Sequence, residues 1–325
     1  MAVLDLATLA PGDRVNHELL VRERAEAKTK AGDPFWILTL GNASGTIATA
    51  PVWNDQRATI DGAEPGAFVQ AIGDIADYKG KRQLVLKSLR LLPRGSHDLT
   101  QFLPAVPADR LALAWTWIDK QLLALKSPSL KSAAALFFGD EAFRVAFERA
   151  PGSTRGHHAA IGGLLEHTYE VARIAHTTAQ VMKANAELAM VGALIHDVGK
   201  VEAYAIDAGG FGFTPAGQLA GHIVLGSWML DRRLAAAKGL GLTESQGLEL
   251  QHFILSHHGS LEFGATVPPM TAEAEIVHWA DESSAKANDM LESLADDEHF
   301  TGDERFSSKR PWRLGKKIWR SPGGW

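Results

Sequence analysis

A chain of 325 residues, 46% hydrophobic and 22% charged, is too long for one ordinary core and too close to the globular average for wholesale disorder or a fibre. The absence of cysteine excludes disulfides, thiolate zinc sites, iron–sulfur clusters and cysteine nucleophiles, so any metal must be held by His, Asp or Glu, and 13 histidines are available. A net charge of -5 gives no global case for nucleic acid, no apolar run approaches the roughly 18 residues that span a bilayer, and Met1 to Asp5 lacks an export signal; a soluble, cytoplasmic protein without membrane association is expected.

Along the chain, residues 14–92 read as strands. Val15 to Arg24, Phe35 to Leu40, Thr46 to Trp53, Phe68 to Ile75 and Gln83 to Leu92 are rich in β-branched and aromatic residues. Turn signals separate them, among them Gly32-Asp33-Pro34, Asn42-Ala43-Ser44-Gly45 and Lys79-Gly80-Lys81-Arg82. Five strands in this length suit a small closed barrel, either the OB-fold, which binds oligonucleotides, or an SH3-like barrel. Leu92-Pro93-Arg94-Gly95-Ser96 ends the strands and opens a linker. From Ala108 the apolar period becomes helical, with Leu111, Trp115, Ile118 and Leu122 at three- and four-residue spacing. Further helices are predicted over Lys131–Arg149, Gly163–Lys183, Glu187–Val198, His222–Lys238, Ser245–Ser256 and Ala272–Leu294, which makes the second domain all-α.

Polar residues interrupt these helices at informative places. His167 lies in Leu164-Leu165-Glu166-His167-Thr168, and His196-Asp197 ends the apolar run Leu188 to Ile195. There an imidazole and a carboxylate would be buried at a cost of several kcal/mol unless paired or bound to metal. His222 follows Gly221, His257-His258 ends Leu250 to Ser256, and Asp281 sits in Ile276-Val277-His278-Trp279-Ala280-Asp281. A lone helix histidine such as His176 or His252 is more often packed than metallated, but a helical bundle can aim a whole set at one centre. Imidazole plus carboxylate suits Mn, Fe, Co, Ni or Zn. Six or seven ligands exceed what one catalytic ion with open positions needs, and suit two ions bridged by a shared carboxylate.

The ordered series His167, His196-Asp197-Val198-Gly199-Lys200, His222, His257-His258 and Asp281 resembles the HD-domain metal-dependent phosphohydrolases in their binuclear form. Gly163-Leu164-Leu165-Glu166-His167-Thr168, Ser256-His257-His258-Gly259 with Glu262-Phe263-Gly264, and Glu273-Ala274-Glu275 ahead of Asp281 are similar to the YhaM-type 3′-to-5′ exoribonucleases. That family joins an N-terminal OB-fold to an HD domain, and Gly73-Asp74-Ile75 and Tyr78-Lys79-Gly80-Lys81 match its barrel. The resemblance implies an OB-fold at 1–95, a linker and helical lead-in at 96–150, an HD domain at 151–300 and a basic aromatic tail at 301–325. It implies two divalent ions, Mn2+ first, with Fe2+, Co2+, Ni2+ or Zn2+ as alternatives. His167, His196, Asp197 and Asp281 would hold one ion; Asp197 would bridge to a second held by His222 and by His257, His258 or both. Asp197 and Lys200 would serve catalysis, Lys200 at the scissile phosphate, and His158 is a further candidate for phosphate contact. The products would be nucleoside 5′-monophosphates.

Single-stranded RNA, with single-stranded DNA as the alternative, would stack on Trp36, Trp53 and Tyr78, with Lys79, Lys81 and Arg82 at its phosphates. Trp36 and Trp53 also suit a core. From Thr301 onward seven basic residues face Asp303 and Glu304, interleaved with Phe306, Trp312, Trp319 and Trp325. Such a tail suits single-stranded RNA, docking on another subunit of a homo-oligomer, or a solvated extension. Rival functions are a nucleotide phosphohydrolase, which leaves the barrel without a role, a di-iron oxygenase, against which Lys200 and the barrel argue, and a non-catalytic RNA-binding protein. A cyclic-dinucleotide phosphodiesterase is disfavoured because Gly259 to Phe263 lacks the Gly-Tyr-Pro element.

Overall fold

The computed structural model describes residues 4–93, 97–237 and 241–323, so the expected boundary at 95/96, Lys238 and Trp325 lie outside the described residues. The chain divides into two compact units, Met1–Ala105 with Ile206–Gly212, and Val106–Ala205 with Phe213–Trp325. No described helix is long and apolar enough to cross a membrane.

In the first unit six strands form one sheet: β1 (Arg14–Lys28), β2 (Pro34–Asn42), β3 (Gly45–Ala48), β4 (Val52–Trp53), β5 (Phe68–Tyr78) and β6 (Lys81–Leu91). The long β1 gives its first half to β5 and its second half to β2, both antiparallel. A register shift between Val21 and Glu23 bends it from one partner to the other. β3 and β4 also pair with β2, and β6 pairs with β5. A parallel bridge between Thr49 and Leu84, with Ala50 N–H donating to Leu84 O at 2.9 Å, joins the ends of the sheet into the OB-type barrel. The third strand expected from sequence is split in two, and Pro51, which has no N–H to give a ladder, stands in the gap. Leu19, Val21, Leu38, Leu40, Val69 and Leu84 fill the interior, and Trp36 is among them.

The second unit contains α1 (Ala108–Ala124), α2 (Pro128–Phe138), α3 (Glu141–Arg149), α4 (Gly163–Met182), α5 (Ala186–Ile195), α6 (Lys200–Ala203), α7 (Pro215–Ala236), α8 (Glu244–Ser256) and α9 (Ala272–Ala295). Ile118, Phe137, Phe143 and Phe147 of α1 to α3 share one core with Leu164, Val171, Leu194, Phe253 and Val277, so these helices are part of the bundle itself. The single helix expected over Lys131–Arg149 is two, because the Asp140 side chain accepts from Ala142 N and Phe143 N and starts a new helix. A small hairpin that the sequence pattern did not announce, β7 (Tyr204–Asp207) and β8 (Gly210–Phe213), falls mostly in the Ile206–Gly212 segment counted with the first unit. Helix α7 begins seven residues before His222, capped by Thr214 with Pro215 in its first turn.

Candidate metal centre

All the proposed ligands except Asp281, which lies within α9, stand near a helix end or at a helix interruption. His167 lies near the start of α4, His196 caps α5 with Asp197 next to it, and Lys200 opens α6. His257 caps α8 with His258 beyond it, and Asp281 lies on α9. His222 follows Gly221, whose φ of 73° and ψ of 160° break α7 into two segments. The Asp197–Lys200 turn meets this break closely: a Cβ on Gly199 would stand 2.0 Å from His222 O.

The carboxylate of Asp197 lies at the middle. Its Oδ2 is 3.2 Å from His196 Nε2 and 3.5 Å from His167 Nε2, and His167 Nε2 is 3.0 Å from Asp281 Oδ1. Its Oδ1 is 3.4 Å from His222 Nε2 and 3.5 Å from His257 Nε2. His222, His257 and His258 can present ligand atoms within 4.8 Å of one another, as can His167, His196 and Asp281. Asp197 Oδ1, His222 Nε2 and His257 Nε2 are all buried without a hydrogen-bond partner. Three converging orphan atoms of metal-ligand type are what a divalent cation satisfies and what a sealed core avoids. The residues present therefore fit the ions that the sequence implied, and both members of the pair His257-His258 face the His222 side.

The outward nitrogens explain the aim of the inward ones. His196 Nδ1 donates to Ala193 O at 2.6 Å, His257 Nδ1 to Ile254 O at 2.8 Å and His258 Nδ1 to Phe263 O at 2.8 Å. A carbonyl only accepts, so each Nδ1 carries the proton and each Nε2 keeps its lone pair. For His167 the same task falls to Ser284, whose Oγ is 3.1 Å from Nδ1 and donates to Glu170 Oε2 at 2.7 Å. With its hydroxyl hydrogen directed at Glu170, Ser284 accepts a hydrogen bond from His167 Nδ1. His278 Nδ1 in turn donates to His257 O at 2.8 Å. Sequence reasoning missed Ser284, Glu170 and His278; the helical spacing of Ser284 and Asp281, one turn apart on α9, was the available signal.

Electrostatics matches this ligand role. Burial outweighs the opposing charge of Asp197 and, helped by Lys200 and His257, keeps the His222 imidazole well below its ordinary pKa, and burial beside His257 lowers His258. Burial alone would raise Asp197, but Lys200 and His196 hold it well below the carboxylate range. Lys200 is itself buried, with Nζ 2.5 Å from Asp197 Oδ2, and Asp197 keeps its ammonium charged against desolvation. His158 lies against the proposed ligand His167, ring centroids 5.1 Å apart, and can present a ligand atom within 4.8 Å of those of His157 and His167. It is buried at φ 56°, with Nε2 3.3 Å from Glu170 Oε2. Its neighbour His157 lies closer to the rim, pushed down to about 3 by burial and by the charge of His167.

The barrel residues separate into two groups. Trp36 is 5% exposed and belongs to the core, with Arg57 over its ring, which removes it from the stacking set. Arg82 Nη1 donates to Leu6 O, Ala7 O and Leu9 O, so its guanidinium is engaged in holding the N-terminal segment. Trp53 remains 43% exposed and pairs with Phe35, ring centroids 5.4 Å apart. Tyr78 is 58% exposed on the β5–β6 turn, with Lys79 Nζ over its ring and Lys81 exposed beyond it.

A family model described as HD domain matches residues 164–286, a span that contains every proposed ligand from His167 to Asp281. The chain is 30% identical over 285 residues to the 3'-5' exoribonuclease YhaM of Bacillus subtilis, covering 87% of this chain and 88% of that protein. It is 31% identical over 282 residues to the 3'-5' exoribonuclease YhaM of a Geobacillus species, covering 85% and 84%. To the same-named protein of Oceanobacillus iheyensis it is 28% identical over 279 residues, covering 85% and 86%.

Proposed function

The chain belongs to the YhaM family of 3'-5' exoribonucleases, and on that premise we propose that it is a metal-dependent exoribonuclease that shortens single-stranded RNA from its 3′ end and releases nucleoside 5′-monophosphates. The observation that carries this reading is the pair of ligand sets meeting on the two oxygens of Asp197. Two divalent ions, Mn2+ in the first instance, would supply the Lewis acidity to acidify water and neutralise the phosphoryl oxygens. His167, His196 and Asp281 with Asp197 Oδ2 would hold one, and His222, His257 and His258 with Asp197 Oδ1 the other.

The remaining steps belong to the chain's own side chains. Lys200, held on Asp197, would offer a fixed ammonium to the scissile phosphate, a charge that needs no reorganisation as negative charge builds on the phosphoryl oxygens. The backbone carbonyls on the outer imidazole nitrogens keep the ligands in register. Trp53, Tyr78, Lys79 and Lys81 of the barrel hold the strand by base stacking and phosphate pairing. Single-stranded DNA would fit the same stacking surfaces.

The test is incubation of the full chain and Mn2+ with a 5′-labelled single-stranded RNA, free or blocked at its 3′ end. A ladder retreating from the 3′ end, absent with the blocked RNA, is expected. Internal fragments at the earliest times, or equal cutting of the blocked strand, would overturn the exonuclease reading.

A further inference from the structure

Residues 301–323 form a docked platform. Ser307 N–H donates to Ile318 O at 2.9 Å, Arg320 N–H to Arg305 O at 2.8 Å, and the Ile318 side chain is buried. Two of the basic residues anchor this hairpin-like loop to α9 and the segment after it. Arg313 pairs with Asp289 and Glu292 at 2.6 and 2.7 Å, and Arg320 donates to Leu294 O and pairs with Asp297. The other five, Arg305, Lys309, Arg310, Lys316 and Lys317, are exposed and have no ion pair among the described residues.

The same platform leaves large aromatics in solvent. Trp312 is 75% exposed, Phe306 57% and Trp319 49%, with the Phe306 and Trp319 rings 4.7 Å apart, edge to face. A local core would have buried them, and a solvated extension would not carry them on a pinned backbone. Arg313, next to Trp312, packs beside Gly156, its Cδ 3.7 Å from where a Cβ would stand. That glycine is in the loop carrying His157, whose ring lies 5.4 Å from that of the ligand His167. The aromatic platform thus adjoins the loop at the rim of the metal centre.

We infer that this C-terminal platform is a second binding site for single-stranded RNA, with bases stacked on Trp312 and on the Phe306–Trp319 pair and phosphates on Lys316, Lys317 and the neighbouring Arg305, Lys309 and Arg310. Five unpaired cations on a chain of net charge -5 fit a polyanion, and aromatic rings interleaved with them fit an unpaired strand. The inference rests on the exoribonuclease reading for the identity of the strand.

The test measures affinity of the full chain for a labelled single-stranded oligoribonucleotide in EDTA, at several salt concentrations. Trp312→Ala should weaken binding roughly tenfold, with Trp312→Phe restoring most of it, since stacking needs only a π-face. Lys316→Ala with Lys317→Ala should flatten the salt slope by about 1.4, at about 0.7 per lost phosphate contact. Both sets lie on exposed positions, and circular dichroism melts confirm that each variant folds. Unchanged affinity and slope in folded variants would overturn the site, as would a loss of self-association in sedimentation velocity without a loss of RNA affinity. If the wild-type chain binds RNA through the platform but leaves it uncut in Mn2+, the exoribonuclease reading fails and the platform stands.

Discussion

Asp197 Oδ1 and His222 Nε2 lie 3.4 Å apart, both buried and both without a hydrogen-bond partner. Two buried polar atoms left without a partner in a dry interior are costly, and a cation between them would satisfy both, so the pair marks where the proposed second ion would bind. Asp197→Asn keeps the shape and removes the charge shared by both ligand sets. It should abolish RNA hydrolysis and lower bound metal, while RNA affinity in EDTA stays within about twofold, because the stacking surfaces lie elsewhere. Elemental analysis alongside a hydrolysis assay checks this, and full activity at unchanged metal content would contradict it.

His222→Ala should remove one ion per chain and leave the other, since His167 and His196 lie on the opposite oxygen of Asp197, with Asp281 against His167. Calorimetric titration of Mn2+ into the metal-stripped variant would then give half the wild-type stoichiometry. Loss of both ions would mean that the sites are not separable.

Ser284 sets the tautomer of His167 without touching the centre. Ser284→Ala should weaken metal binding by roughly 10- to 100-fold, the usual effect of losing an outer partner of a ligating histidine, and Ser284→Thr should recover it. Titration of metal into each variant reads the difference directly, and equal affinities would remove Ser284 from the site.

In the barrel, Trp36→Ala should cost about 3–5 kcal/mol of stability, the range for truncating a buried aromatic. Trp53→Ala should cost much less and instead weaken RNA binding by roughly tenfold. Denaturant unfolding followed by circular dichroism, with RNA titrations on the same samples, distinguishes the two tryptophans. A reversed pattern would return Trp36 to the stacking surface.

The proposed ligand series was legible chiefly where a member violates its surroundings: an imidazole and a carboxylate at the end of an apolar helix, as at His196-Asp197, are visible in the sequence. Ser284 and Glu170 were not, because a serine and a glutamate on amphipathic helices look like any solvated face. Trp36 could have been placed, since Trp36, Leu38 and Leu40 alternate along β2 and all point into the barrel. Arg82 could not. Its turn looks exposed and basic, and only the fold brings the carbonyls of Leu6, Ala7 and Leu9 to it. Likewise the split of the third strand follows from Pro51, but the parallel closure at Leu84 is a long-range pairing that no local pattern encodes.

The hydrogen bonds from His196 to Ala193 O and from His257 to Ile254 O each span three residues. Each one closes the last turn of its own helix, where carbonyls lack an amide partner, so a single bond both caps the helix and aims the ligand. The rotational freedom of these imidazoles is therefore surrendered when the helices form and not when the ions arrive. Assembly of a coordination sphere on the proposed ligands would then be an ordinary consequence of secondary structure, unlike that of small metal-folded domains whose chains acquire order only with the cation.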